Sequence, residues 1–249
     1  MRRLLCVTAH PDDEAGSFGG SLLLYRERGV ETYVICLTPG QAATHRGSTK
    51  SDEELSAQRR LEFAASCKVL NITRGEVLDY RDGALDRADF HRIVADLVHR
   101  IRTIRPQVIV TYGPEGSVTT HPDHSMAGIF ATMAFEWAGR SSRFPDQLTN
   151  GLRPHQAQKL YYGTALFTLP GREVISPAPL TTTIEIGPER LATKIKAFKQ
   201  HTSQAPLFSL FENNVARRAH NEHFHLVARS KPSVLASETD LFEGVEEEL

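Results

Sequence analysis

Two short runs hold residue types that can do chemistry together. His10-Pro11-Asp12-Asp13-Glu14 sets an imidazole three residues before a carboxylate, and His121-Pro122-Asp123-His124 sets two imidazoles at the same separation. That separation puts both groups on one face of a first helical turn. Zinc accepts imidazole nitrogen and carboxylate oxygen, and a catalytic zinc keeps three protein ligands with the fourth position open to water. His10, Asp13 and His124 supply a two-histidine, one-carboxylate set, which suits Zn2+ and also Fe2+ in a reducing compartment. Thiolates play no part in this reading. Cys6, Cys36 and Cys67 lie in apolar segments without close pairing, as small buried hydrophobes outside any disulfide or zinc ribbon.

A purely structural reading competes for each run. Acidic residues after proline are favoured in any first helical turn, where they offset unpaired amides and the helix dipole. Against it, histidine caps a helix no better than serine does. Both runs also follow segments of strand character, and open α/β sheets gather reactive groups at the carboxyl edge of their strands.

The elements that must position these groups alternate. Strand-like segments at 3–8, 31–38, 76–80 and 108–112 are separated by helical ones at 15–28, 53–70, 88–105 and 124–137. Residues 88–105 show the helical period well, with Phe90, Ile93, Val94, Leu97, Val98, Ile101 and Ile104 on one face and Pro106 closing the run. The pattern predicts an α/β fold, a Rossmann-like, mostly parallel sheet flanked by helices. Further strands at 159–165, 181–186 and 224–228 and a helix at 189–201 extend it toward the C-terminus. Residues 139–154, rich in Ser, Arg, Pro and Gly, read as an elaboration of the same domain. The expectation is one domain over 1–249, with 237–249 as a mobile tail carrying six acidic residues and no basic one.

The chain of 249 residues is 40% hydrophobic, enough for one substantial core. Its 29 basic and 30 acidic residues leave a formal charge of −1, which gives no pull toward nucleic acid or an anionic membrane. The apolar run at the N-terminus is too short for an export signal, and no segment reaches the roughly 18 apolar residues of a membrane span. A cytoplasmic protein acting on a small molecule, without stable membrane insertion, is the expectation; a homo-oligomer is left open.

Ala9-His10-Pro11-Asp12-Asp13-Glu14 after an N-terminal strand, with His121-Pro122-Asp123-His124 in mid-chain, resembles the PIG-L/LmbE family of zinc N-deacetylases. Arg59-Arg60-Leu61-Glu62 resembles the family's Arg-x-x-Glu helix, and Tyr80-Arg81-Asp82-Gly83 its Asp-containing turn. Weaker echoes at Lys194, His201-Thr202-Ser203-Gln204 and Glu222-His223-Phe224 extend the match over most of the chain.

The resemblance implies release of acetate from an N-acetylglucosamine conjugate or similar amino sugar. It makes His10, Asp13 and His124 the metal ligands, Asp12 the general base and a protonated His121 the group that steadies the oxyanion. It makes Arg59 a contact to a polar substituent and Asp82 a contact to sugar hydroxyls. These roles agree with the chemistry, since a metal lowers the pKa of water and a neighbouring carboxylate can move the proton. Asp123 is expected either to orient a histidine or to serve the helix start. The chain departs from the family at one point. Thr119-Thr120 stands where many members carry an aromatic residue two positions before the His-Pro-Asp-His motif, so a tyrosine role there has no counterpart.

Two other classes compete. A non-catalytic sugar- or nucleotide-binding module is suggested by Gly16, Gly19 and Gly20, but a dinucleotide fingerprint needs its glycines in the turn that His10-Pro11-Asp12-Asp13 fills, so Gly19 and Gly20 are expected to serve helix packing. A metal-dependent phosphoesterase or a different amidase would use the same ligands. The remaining histidines are expected at the surface or in the core, with His201 an outside candidate for the site.

Overall fold

A computed structural model of the chain describes residues 1–249 apart from 150, 170, 173–175, 217–219, 233, 235–236 and 247–249. Its elements run β1 (Arg3–Thr8), α1 (Asp13–Glu27), β2 (Glu31–Cys36), α2 (Asp52–Val69), β3 (Arg74–Val77), α3 (Phe90–Ile104), β4 (Val108–Tyr112), α4 (Pro122–Ala138), β5 (Lys159–Thr164), β6 (Thr182–Glu185), α5 (Gly187–Phe198), α6 (Phe208–Ala216) and β7 (Asn221–Arg229). The strands form one seven-stranded sheet in the order β3-β2-β1-β4-β5-β7-β6. The first five are parallel, and β7 pairs antiparallel with both β5 and β6.

Both faces of β1 are buried, as a strand at the centre of a parallel sheet requires. Leu4 and Cys6 point into a core shared with Phe18 and Leu22 of α1 and Phe63 of α2. Leu5 and Val7 point into a second core shared with Ile93, Val94 and Leu97 of α3 and Phe130 of α4. β1 has β2 on one side and β4 on the other, so the chain reverses its direction of travel across the sheet there. The crevice at such a switch point is where open α/β sheets hold ligands.

α3 begins at Asp89, whose side chain accepts from the Arg92 amide at 3.1 Å, and ends at Arg105 in a left-handed conformation before Pro106. Ile93, Val94, Leu97, Val98 and Ile101 are buried, while Phe90 is 37% exposed and rests on Phe130 and Trp137. Arg102 on the same helix is buried. It donates to the carbonyls of Ala138, Arg140, Arg143 and Phe144 and to Gln147 Oε1, tying down the segment after α4. Gly20 allows the close helix packing expected of it, since a Cβ there would lie 2.4 Å from Ile186 Cδ1.

The acidic tail departs from expectation. Leu241, Phe242 and Val245 are buried against Tyr25 and the first core. Glu238 bonds Lys159 at 2.8 Å and Tyr161 at 2.5 Å and bridges to Thr182. The apolar residues interleaved with the acids hold residues 237–246 to the sheet, and one of the acids is itself buried. The run 208–216, given no element by its pattern, is α6. No helix among the described residues is long and apolar enough to cross a membrane.

Candidate metal centre

The turns after neighbouring β1 and β4 open side by side. Asp13 begins α1, and its Oδ2 accepts the amides of Ala9 at 3.1 Å and His10 at 2.9 Å, which fixes the turn. His121 caps α4, where its Nδ1 accepts the Asp123 amide at 3.1 Å. His124 stands in the first turn of α4 and lies 3.1 Å by Nε2 from Asp13 Oδ1. The rings of His10, His121 and His124 have centroids 4.8–5.3 Å apart.

Candidate ligand atoms of His10, Asp13 and His124 lie within 4.8 Å of one another, and so do those of His10, His121 and Asp123. Hydrogen bonds separate the two groups. Asp123 is committed within the protein: Oδ2 accepts from Gly83 at 2.7 Å and Oδ1 from Leu85 at 3.1 Å. His121 spends Nδ1 on its cap.

In the other group each histidine has one nitrogen anchored outward and one turned toward Asp13. His10 Nε2 meets Asp82 Oδ1 at 3.0 Å and Asp123 Oδ2 at 3.3 Å, leaving Nδ1 3.7 Å from Asp13 Oδ2. His124 Nδ1 meets Thr119 Oγ1 at 3.0 Å, leaving Nε2 beside Asp13. Ligating histidines are held in this way, with the second nitrogen donating to a carboxylate or hydroxyl.

The electrostatics also suit a cation. Burial works against charge on His10, but its bonds to Asp123 and Asp82 and the charge of Asp13 hold its pKa up at about 10. Burial opposes ionisation of Asp13 too, yet His124 and then His10 hold that carboxyl far below the ordinary range. His121 is shifted down, by burial first and then by the charges of His10 and His124. The donor set and its surroundings fit a zinc or ferrous ion.

Asp12 borders this cluster with its backbone at φ 115°, a left-handed conformation unusual outside glycine. Its amide is held by Glu14 Oε2 at 2.9 Å. Its Oδ2 accepts from Arg59 Nη2 at 2.9 Å, and that guanidinium also donates to Pro11 O and, by Nη1, to Gly40 O at 3.0 Å. Arg59 is 2% exposed and lines the cleft beside Asp12, so it is not a solvated side chain. Burial pushes the Asp12 carboxyl up against the pull of Arg59, and Asp13 adds to the rise, leaving its pKa at about 6. Asp82, expected at sugar hydroxyls, has both oxygens engaged within the protein, Oδ1 by His10 and Oδ2 by the Ala42 amide at 3.0 Å.

Three supporting residues were not singled out by sequence reasoning. Tyr112, the last residue of β4, stacks on His124 at 4.2 Å and bonds Ser17 at 3.0 Å through its hydroxyl. Thr119, noted only as a departure, anchors His124. Glu14 joins His201 Nε2 at 2.8 Å and Ser66 at 2.5 Å, which places His201 behind the first turn of α1. The position of Tyr112 at a strand end was the one available signal; the other two partnerships span five and 187 residues. Above the cluster lies a cleft of about 540 Å³ lined by His10, Asp12, Asp13, Arg59, His121 and His124 on its polar side.

A sheet with a buried imidazole–carboxylate cluster at its switch point, open to a cleft, is a frame suited to metal-assisted hydrolysis. The family model described as PIG-L: GlcNAc-PI de-N-acetylase matches residues 5–135, more than half of the chain, and the chain belongs to that family of deacetylases. It is 30% identical over 295 residues to a 1D-myo-inositol 2-acetamido-2-deoxy-alpha-D-glucopyranoside deacetylase of Streptomyces avermitilis, covering 98% of this chain and 97% of the relative. Among solved structures, N,N'-diacetylchitobiose deacetylase from Pyrococcus horikoshii superposes with a TM-score of 0.76 at 23% identity, over 91% of this chain and 84% of that one. The 4-carboxy-2-hydroxymuconate hydratase of Pseudomonas putida shares the fold with a TM-score of 0.75 at 20% identity, over 95% of this chain and all of that one. The frame alone therefore does not fix the reaction.

Proposed function

We propose that this protein hydrolyses the acetamide of an N-acetylglucosamine conjugate or similar amino sugar, releasing acetate and a free amine, with zinc held by His10 Nδ1, Asp13 and His124 Nε2. The observation that carries this reading is the pair of histidines anchored outward and converging on Asp13, with the Asp12 carboxylate beside them held by Arg59. A metal bound there supplies Lewis acidity and a water of lowered pKa.

Asp12 is the base. Its position beside the cluster lets it take a proton from the attacking water and later return that proton to the departing nitrogen. Arg59 fixes the direction of Asp12. His121 accepts the Asp123 amide at Nδ1, which leaves Nε2 as the nitrogen able to donate. As a donor it stabilises negative charge on the carbonyl oxygen, a contact that strengthens as the charge develops. Asp82 and Asp123 hold His10 in the tautomer that leaves Nδ1 free, and Asp82 also lines the cleft, where its carboxylate is placed to meet a sugar hydroxyl.

The test is metal content by elemental analysis together with acetate release from N-acetylglucosamine conjugates. About one zinc per chain is expected in the wild type, kept by an inactive Asp12→Ala variant and lost from His124→Ala. Metal without acetate release from any N-acetyl substrate would overturn the reading in favour of another reaction on the same frame.

A further inference from the structure

Deacetylation uses the polar floor of the cleft, whereas its apolar wall, built from a core cluster in which Phe198 and Phe211 pack with Ala15 and Leu70, also faces the cleft. Phe198 ends α5, Leu207 immediately precedes α6, and Leu210 and Phe211 follow in its first turn at the spacing of a single helix face. Asn214 is the next residue along that face to line the cleft. The rings of Phe198 and Phe211 stack at 3.9 Å, making a firm surface.

This wall begins close to the reactive groups. A Cβ on Gly16 would lie 3.4 Å from Phe198 Cε2, and the Gly16 amide bonds Asp12 O at 2.8 Å. Leu210, within the wall, is 48% exposed, and core packing does not account for it. Val118 and Leu169 add further apolar lining. Apolar surface lining a concave cleft beside reactive groups, as Leu210 and the edges of Phe198 and Phe211 do here, is a seat for a ligand's hydrocarbon. The cleft is also in the roughly 300–1,000 Å³ range of drug-sized ligands, more than one amino-sugar ring needs.

We propose that the substrate carries an alkyl or aryl group on its amine-bearing half, as an apolar aglycone, and that this group seats on Phe198, Leu207, Leu210 and Phe211. The assignment rests on the deacetylase reading. The acyl half of an acetamide ends in one methyl group, so only the other half can reach a wall of this extent.

The test uses methyl, propyl and hexyl glycosides of N-acetylglucosamine. Acetate release is measured with the zinc-loaded wild type, and binding by calorimetry with Asp12→Asn. Both kcat/KM and affinity are expected to rise roughly threefold per methylene, somewhat below the value for complete burial. In Leu207→Ser/Leu210→Ser the hexyl-to-methyl ratio falls severalfold; Leu210 is exposed enough for serine to be accommodated. Equal kcat/KM and affinity for methyl and hexyl glycosides would overturn the aglycone assignment, as would a preference for N-hexanoyl over N-acetyl sugars. Length-dependent binding with no acetate from any glycoside would keep the apolar seat and overturn the deacetylase reading instead.

Discussion

Thr119→Val isolates the anchoring of His124. Valine keeps the shape of threonine and removes the hydroxyl that meets His124 Nδ1 at 3.0 Å and donates to Gly116 O at 3.2 Å. With metal on Nε2, the ring must keep its proton on Nδ1, which would then be a buried donor without a partner. That costs about 1–3 kcal/mol, or roughly 5- to 140-fold in metal affinity. In the metal-free protein the ring can shift its proton to Nε2, which faces Asp13 Oδ1 at 3.1 Å, so much of the loss is avoided. The effect therefore falls on metal binding more than on folding. Chelator competition measures the metal Kd, and thermal unfolding of the apo protein measures stability. Thr119→Ser, which retains the hydroxyl, should restore most of the affinity. Equal affinities for wild type and Val, or a Ser variant as weak as Val, would refute this account of His124.

Two further changes probe the surroundings. Gly40→Ala puts a Cβ 2.0 Å from Arg59 Nη1 at a residue with φ +67°, which must displace the guanidinium from Asp12. We expect kcat to fall on the order of tenfold or more with zinc content retained, as read by steady-state kinetics beside elemental analysis; unchanged kcat would separate Arg59 from the base. Glu222→Gln removes the carboxylate that bonds Lys194 at 2.5 Å and the amides of Gly20 and Ser21, deep in the core. Loss of about 3–5 kcal/mol is expected in denaturant titrations at neutral pH. Burial opposes the Glu222 charge, but Lys194 holds its pKa below the ordinary 4.5, so the wild-type contribution is complete above 4.5 and fades as pH falls through the lower folded value. The Gln variant should lack that fall, and parallel pH–stability curves for the two proteins would count against the assignment.

Much of this arrangement was legible in the sequence, for identifiable reasons. Strands buried on both faces and helices such as α3, with one dense apolar face, announce themselves by composition and period. His10, Asp13 and His124 announce themselves by spacing after strands. What escaped was set by distant partners. The protein partners of Asp82 and Arg59, His10 and Asp12, lie 72 and 47 residues away, and neither residue type discloses them. The tail misled because its charge was counted while Leu241, Phe242 and Val245, scattered among the acids, were not.

The order of the strands has a consequence for descent. The residues proposed to bind metal and move protons come from the turns after β1 and β4, at the centre of the sheet, and their supports come from α2, from β4 and the turn after it, and from the loops after β2 and β3. The apolar wall comes almost entirely from α5, the turn after it and α6, which follow the parallel strands. Substitutions along the exposed face of this wall could thus accumulate in a lineage, altering which molecules fit the cleft, while the turns that carry the reacting groups keep their sequence.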